Sequence, residues 1–445
     1  MEGRYQLIDR VGFLMEQWQQ AALPRLTRRD VRVPKVPRKA IAVLGMRRAG
    51  KTSFLWQLIA DRIAAGTPRE GLLYFNFEDE RLAGMQMADL ALLVEEFYRR
   101  HPEWRDARRA TWMLDEIQLV PGWERFARRL LDTEQIDLFL SGSSAKLLSR
   151  EVATSMRGRG METMVHPFSF REYLRHRDAE PGGPPDRLSK AAQSALQKHL
   201  REYLVVGGFP EAQGLGERDR RDLLSTYVDV TLLRDVIERH NISSPRPLRW
   251  MTRQLLGNPA GAFSIHRFYN DLRSMKTPAS KDTLHAYLAH LEDAFLVHTL
   301  PIATASERRR VVNPRKVFPA DPGLIALFDR SGRANLGHAL ETAILLALLR
   351  RGAEVCYVRT RSGFEMDFLA RFLGGDERLI QVCADMSAGP TLEREVRGLT
   401  DAAREFPSAS RHIITLTPEA ATTWPEGVIV HAAERWFLAE DHQGE

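Results

Sequence analysis

The strongest constraint on this chain is the stretch Ile41-Ala42-Val43-Leu44-Gly45-Met46-Arg47-Arg48-Ala49-Gly50-Lys51-Thr52. An apolar run of strand character ends at Gly45. Gly50-Lys51-Thr52 then opens a segment, Ser53 to Ala65, whose apolar residues Phe54, Leu55, Leu58, Ile59 and Ile63 recur at helical spacing. The pattern is G-x-x-x-x-G-K-T with a strand before it and a helix after it, the context in which such a loop cradles phosphate. Glycines let the backbone curl with its N–H groups turned inward, making a concavity that binds anions. The following helix directs its positive end at the same phosphates. Gly45, Met46, Arg47, Arg48, Ala49, Gly50, Lys51, Thr52 and Ser53 are therefore the expected binding loop. Lys51 reaches for the β- and γ-phosphates, and Thr52 offers its hydroxyl to Mg²⁺.

A chain of 445 residues has room for several domains, each with its own core. Its 44% hydrophobic and 27% charged content is that of a globular protein, which excludes disordered and fibrous classes. The 64 Lys+Arg against 58 Asp+Glu leave a net charge of +6, an excess that permits nucleic-acid contact without demanding it. No apolar run approaches the length of a membrane span, and Met1-Glu2-Gly3-Arg4 lacks the apolar core of a signal peptide. Cys356 and Cys383 suggest no disulfide framework. The expected compartment is the cytoplasm, without a membrane partner.

Residues 1–34 read as an N-terminal helix, apolar at Leu7, Val11, Leu14, Met15 and Trp18, followed by a basic linker that is either solvated or a phosphate-binding patch. Within residues 35–175, Gly71 to Phe77 reads as a second buried strand, and Thr111-Trp112-Met113-Leu114-Asp115-Glu116 as a third that ends in two carboxylates. Paired with the loop, these carboxylates fit an Mg²⁺-dependent NTPase, with Asp115 on the metal and Glu116 orienting and polarising a water. Ile136 to Leu140 is a fourth strand running into Ser141-Gly142-Ser143-Ser144. Ser141 or Ser143, and after them Ser144, are candidates to sense the γ-phosphate; a plain serine cap is the alternative. Arg157 and Arg159 precede a fifth strand, Glu162 to Val165, and either could stabilise transition-state charge within the chain or across a subunit interface. The second case implies a homo-oligomer. Five strands alternating with helices predict a parallel sheet with its ligand at the carboxyl ends.

Together with the loop, Asn76-Phe77-Glu78-Asp79, Leu114-Asp115-Glu116-Ile117-Gln118, Ser141-Gly142-Ser143-Ser144, Pro167-Phe168-Ser169-Phe170-Arg171-Glu172-Tyr173 and Gly207-Gly208-Phe209-Pro210-Glu211 occur in order. The set resembles the widespread prokaryotic AAA-type ATP-binding proteins with a C-terminal domain of unknown function, over about residues 30 to 430. The resemblance implies ATP with Mg²⁺, and no Asn-Lys-x-Asp guanine-reading motif is present.

Residues 178–190 read as a loop, and 190–325 as a helical and winged-helix domain. In it, Ser264 to Leu272 and Ser280 to Leu291 form two helices joined by a turn, before an apolar strand from Phe295 to Pro301. Lys281 and His285 on the second helix, and Arg308-Arg309-Arg310 in the expected wing, could meet DNA; packing on a protein partner or on the ATPase is the alternative. Residues 333–436 order a helix with Glu341, strands Ala353 to Arg359, Phe364 to Ala370 with Asp367, and Leu379 to Cys383, then a helix around Leu392 to Ala403. That order resembles restriction-endonuclease-like folds, whose third strand carries Glu-x-Lys. Here those positions are Gln381 and Cys383. Glu341 and Asp367 remain as a degenerate metal site, and without the lysine the module is expected not to cleave DNA. The fold class expected is thus α/β: a P-loop NTPase parallel sheet, a helical and winged-helix region, and a C-terminal α/β restriction-endonuclease-like module. The function expected is an ATPase that couples ATP to a DNA or protein partner. An ATP-regulated binding protein with little turnover and an ATP-gated nuclease are the alternatives.

Overall fold

A computed structural model describes residues 2–142, 156, 158–312, 314–329, 335–386, 389–418 and 426–439. The chain divides into two compact units, Met1–His166 and Pro167–Glu445. No helix among the described residues is long and apolar enough to cross a membrane.

In the first unit α1 (Glu2–Gln20) lays Val11, Met15 and Trp18 inward, the stripe its helical spacing predicts. The core is a five-stranded parallel sheet of β1 (Ala40–Leu44), β2 (Leu72–Asn76), β3 (Ala110–Asp115), β4 (Ile136–Ser141) and β5 (Gly160–Met164), ordered β2-β3-β4-β1-β5. β1 and β3 are buried along their whole length, which is why they read as continuous apolar runs. Helices α2 (Lys51–Ala64), α3 (Ala91–Arg100) and α4 (Trp123–Thr133) supply the crossovers. Parallel pairing brings the ends of β1, β2, β3 and β4 to one edge, where the phosphate loop also lies.

The basic linker contains a structural cation. Arg29 is 5% exposed; its Nη1 donates to the Ala49 carbonyl at 3.0 Å and its Nη2 to the His166 carbonyl. Its backbone N–H donates to Gln57 Oε1 at 2.7 Å, and Gln57 Nε2 returns a bond to the Arg29 carbonyl at 3.1 Å. The phosphate loop is thus braced by a buried guanidinium. Arg29→Ala is expected to lower the stability of this unit by about 3 kcal/mol, seen as an earlier denaturant midpoint, because charge-assisted bonds and packing are lost together.

The second unit begins with α5 (Phe170–His176), α6 (Lys190–Val206) and α7 (Glu217–Val230), which runs on into a π-helical segment, Thr231–Glu238. Two stretches of the family-like signature meet here. Ser169 and Glu172 form a reciprocal capping box at the start of α5. Phe168 N–H donates to the Gly208 carbonyl at 2.6 Å, and Gly208 N–H donates to Asp321 Oδ2 at 2.7 Å. Asp321 Oδ1 accepts from Gly323 N–H at 2.9 Å, and burial pushes this carboxyl up to about 6 against the pull of both donors. A Cβ on Gly207, whose φ is 78°, would strike Asp321, and one on Gly208 would strike the Phe168 backbone. Pro167 to Tyr173 and the paired glycines are one packing device.

Next come α8 (Arg246–Leu256), β6 (Ala262–Phe263), α9 (Ile265–Ser274), α10 (Lys281–Asp293) and the antiparallel pair β7 (Val297–Leu300) and β8 (Arg315–Pro319), with β6 on the far side of β8. The expected hairpin forms, but Arg308, Arg309 and Arg310 lie on a short helix, Glu307–Val312, between its strands and not on an extended wing. Ser306 starts that helix, its hydroxyl accepting from Arg309 N–H at 3.3 Å. The C-terminal sheet is mixed, ordered β13-β12-β11-β10-β9: β9 (Glu354–Arg359), β10 (Glu365–Arg371) and β11 (Glu377–Cys383) pair antiparallel, while β12 (Ser410–Thr415) and β13 (Val428–Ala432) add in parallel. α11 (Leu336–Arg350) packs on β9, β10 and β11, and α12 (Gly389–Glu405) on β10 and β11. Residues 301–303 bridge to β9 through Ala303 N–H to the Tyr357 carbonyl at 2.7 Å, so the hairpin and the sheet are joined.

Candidate active site

Gly45 leaves β1 with φ 149°, and a Cβ there would collide with the Val165 carbonyl, so the loop can begin only at glycine. Gly50 sits at the start of α2 with φ 100°, and no side chain caps that helix. Lys51 is buried, its Nζ donating to the Gly45 and Met46 carbonyls at 3.1 and 3.2 Å. The lysine thus lies folded over the loop its sequence pattern predicts. Arg47 reaches Glu78 at 3.8 Å, and Arg48 holds φ 64°.

Asp115 is the hub of the site. It is 1% exposed and in register with Asn76 at the end of the sheet. Its Oδ2 accepts from Thr52 Oγ1 at 2.8 Å and from the Tyr74 hydroxyl at 2.8 Å; its Oδ1 accepts from Ser141 Oγ. Three hydroxyls therefore converge on one buried carboxylate, which burial without hydrogen bonds would make costly. Burial and the neighbouring Asp115 charge push the Tyr74 phenol far up, so it stays a donor. Ser141, expected near the γ-phosphate, is fully buried and bound to Asp115; it also accepts from Glu116 N–H at 3.2 Å. Glu116 takes φ 55°, which turns the chain out of the strand, and its Oε2 accepts from Gln118 Nε2. Glu78 is nearby on the same edge, its carboxyl raised by burial and then by the Glu116 charge.

This donor set fits Mg²⁺ with a triphosphate: a hydroxyl and a carboxylate 2.8 Å apart beside a glycine-shaped cradle and a lysine. No motif singles out Tyr74; its one signal is a phenol in an otherwise apolar buried strand, which needs a partner. Arg159 stands just before β5, and Ala40 pairs with Gly160 at the amino end of the sheet. That puts it roughly 15 Å along the strands from the loop, where its Nη1 pairs with Asp132. The parallel register thus sets Arg159 at the amino edge of the sheet, away from the loop of its own chain. Arg157, Ser143 and Ser144 lie outside the described residues.

In the C-terminal sheet the structure brings Glu341 and Asp367 together, with two residues that motif reading missed. Lys316 Nζ, from β8, lies 2.9 Å from Glu365 and 3.2 Å from Asp367. Burial pulls the Lys316 ammonium down, but Asp367, Glu365 and Glu341 outweigh it and leave it raised. Burial and the Asp367 charge lift Glu341 well above the usual carboxylate range. Asp367 Oδ2 accepts from Val382 N–H at 3.0 Å, and Asp367 N–H donates to Gln381 Oε1 at 3.2 Å. Cys383 turns its thiol to the Asp385 carbonyl. Among the described residues, no three His, Cys, Asp or Glu side chains are grouped to hold a metal ion.

The parallel sheet, the glycine-started loop and the Thr52–Asp115 pair have the form of a P-loop nucleotide-binding domain, and residues 37–174 match the family model described as an AAA domain. Residues 197–333 match a model described as a domain of unknown function, DUF8612. Over 398 residues the chain is 31% identical to the uncharacterized protein MJ1544 of Methanocaldococcus jannaschii, covering 88% of this chain and 85% of that protein. Over 331 residues it is 30% identical to an uncharacterized protein of Haemophilus influenzae, covering 74% and 78%. The chain belongs to the family that these uncharacterized proteins represent. Among solved structures, the Walker-type ATPase PABY2304 of Pyrococcus abyssi aligns with 65% of this chain and 90% of its own at 16% identity, with a TM-score of 0.41.

Proposed function

We propose that the chain is an Mg²⁺-dependent ATPase that passes its nucleotide state to a DNA or protein partner. The observation that carries the proposal is the convergence of Thr52, Tyr74 and Ser141 on Asp115, with Glu116 next in the chain. ATP would supply the γ-phosphoryl group, and a bound Mg²⁺ would supply positive charge against it. Lys51 meets the phosphates once it leaves the loop carbonyls. Thr52 and Asp115 would hold the metal, and Glu116 would orient and polarise the attacking water. Lys51→Ala is expected to abolish binding of labelled ATP and hydrolysis together; normal binding in that variant would overturn the site.

One observation favours the second reading, an ATP-regulated binding protein with little turnover: Gln118 holds the Glu116 carboxylate. Basal hydrolysis is then slow until a partner frees Glu116.

The helix-helix-hairpin of the second unit is proposed as a winged helix facing that partner. Support comes from the order α8, β6, α9, α10, β7, β8 and from a groove of about 470 Å³ between α10 and the hairpin, where Lys281, His285, His266 and Arg315 gather beside Glu292. Lys281 and Arg315, the latter ion-paired with Glu292 at 3.7 Å, together with the two polar imidazoles suit a polyanionic surface better than an apolar one.

A further inference from the structure

The acidic centre of the C-terminal sheet poses a charge problem that the chain solves itself. Asp367 is nearly buried, and Glu341 and Glu365 face the same space. Asp367 is the driest of the three, while the Glu365 side chain is 46% exposed; a carboxylate held away from water needs a cation, and in restriction-endonuclease-like folds that cation is a divalent metal. Here Lys316 stands in the space. Its side chain is 4% exposed, its ammonium is bound by Glu365 and Asp367, and the Tyr357 ring flanks it at 5.9 Å. An ammonium has three donors and no acceptor, so it satisfies several carboxylates at once.

We propose that Lys316 is the resident cation of this centre: its ammonium, brought from the neighbouring three-stranded sheet, occupies the place among Glu341, Glu365 and Asp367 that a divalent metal would need. The contacts of 2.9 and 3.2 Å are ammonium distances, longer than the 2.0–2.1 Å that Mg²⁺ demands. A metal entering beside the lysine would meet a like charge at close range. The remaining strand positions do not help it, since the Gln381 oxygen is engaged by Asp367 N–H and the Cys383 thiol by the Asp385 carbonyl. The centre thus serves as an ion-paired joint between β8 and β10 and not as a metal site.

The test is Mn²⁺ binding to nucleotide-free protein, followed by electron paramagnetic resonance. Manganese taken up at the phosphate loop is common to every variant, so differences report this centre. Wild type and Asp367→Asn should bind the same amount. Lys316→Met keeps the length of the side chain without its charge and should bind one additional Mn²⁺, which Lys316→Met/Asp367→Asn loses. Lys316→Arg, which keeps the charge, should gain none. Lower binding by Asp367→Asn than by wild type would overturn the proposal, whether or not the Lys316→Met variant folds. So would a folded Lys316→Met, verified by near-ultraviolet circular dichroism, that gains no metal.

Discussion

Glu116→Gln is expected to lower the steady-state rate of ATP hydrolysis by about 10²- to 10⁴-fold while leaving ATP affinity close to wild type. The amide keeps the shape of the side chain but cannot take a proton or polarise water. Nothing else in the hub should move. Glu116 reaches Ser141 through its backbone N–H, a bond the substitution preserves, and the three hydroxyls that hold Asp115 do not touch the Glu116 carboxylate. Binding and turnover should therefore separate, whereas Lys51→Ala removes both. Equal rates in wild type and Glu116→Gln would defeat the enzymatic reading and leave the regulatory one, in which Gln118 keeps the glutamate out of use.

The second large effect is on stability. Gly208→Ala drives a methyl group into the Phe168 backbone, where neither partner is a flexible side-chain tip. It also disturbs two short bonds, Phe168 N–H to the Gly208 carbonyl at 2.6 Å and Gly208 N–H to Asp321 at 2.7 Å. The expected loss is about 4 kcal/mol or more, a large part of what a domain has. The control is Gly214→Ala: φ there is 77°, but a Cβ would meet open space. Backbone strain alone should cost it about 1 kcal/mol. Chemical denaturation of both variants reads the difference. Similar midpoints would mean that the Phe168–Gly208–Asp321 contact does not hold the second unit together.

Much of the first unit is legible in the chain because its signals are local. A buried parallel strand is a short apolar run, and a phosphate loop is a fixed spacing of glycine, lysine and threonine between such a run and a helix. The loop, Asp115, Glu116 and the five strands come from those two patterns. The features that escape the sequence are tertiary. Arg29 sits in a basic run that looks solvated, and only the fold brings the Ala49 and His166 carbonyls around it. Ser141 is visible as a strand-end hydroxyl, but its attachment to Asp115 depends on the neighbouring strands. Lys316 is the plainest case. No motif marks it, and it reaches Asp367 from a strand 51 residues earlier in the chain. Position in space, not in the motif, supplies the charge.

The packing of Pro167 to Leu174 bears on how this protein can be cut. The match to the AAA domain runs to residue 174, but the first compact unit ends at His166. A fragment trimmed to the domain match would carry away Phe168, Phe170, Tyr173 and Leu174, each 3% exposed or less, without the residues that cover them. It would present a sticky aromatic tail to solvent and tend to aggregate. The complementary fragment would lose the partner of Gly208 and open its own core. Dissection of the two units is better made at the His166–Pro167 bond.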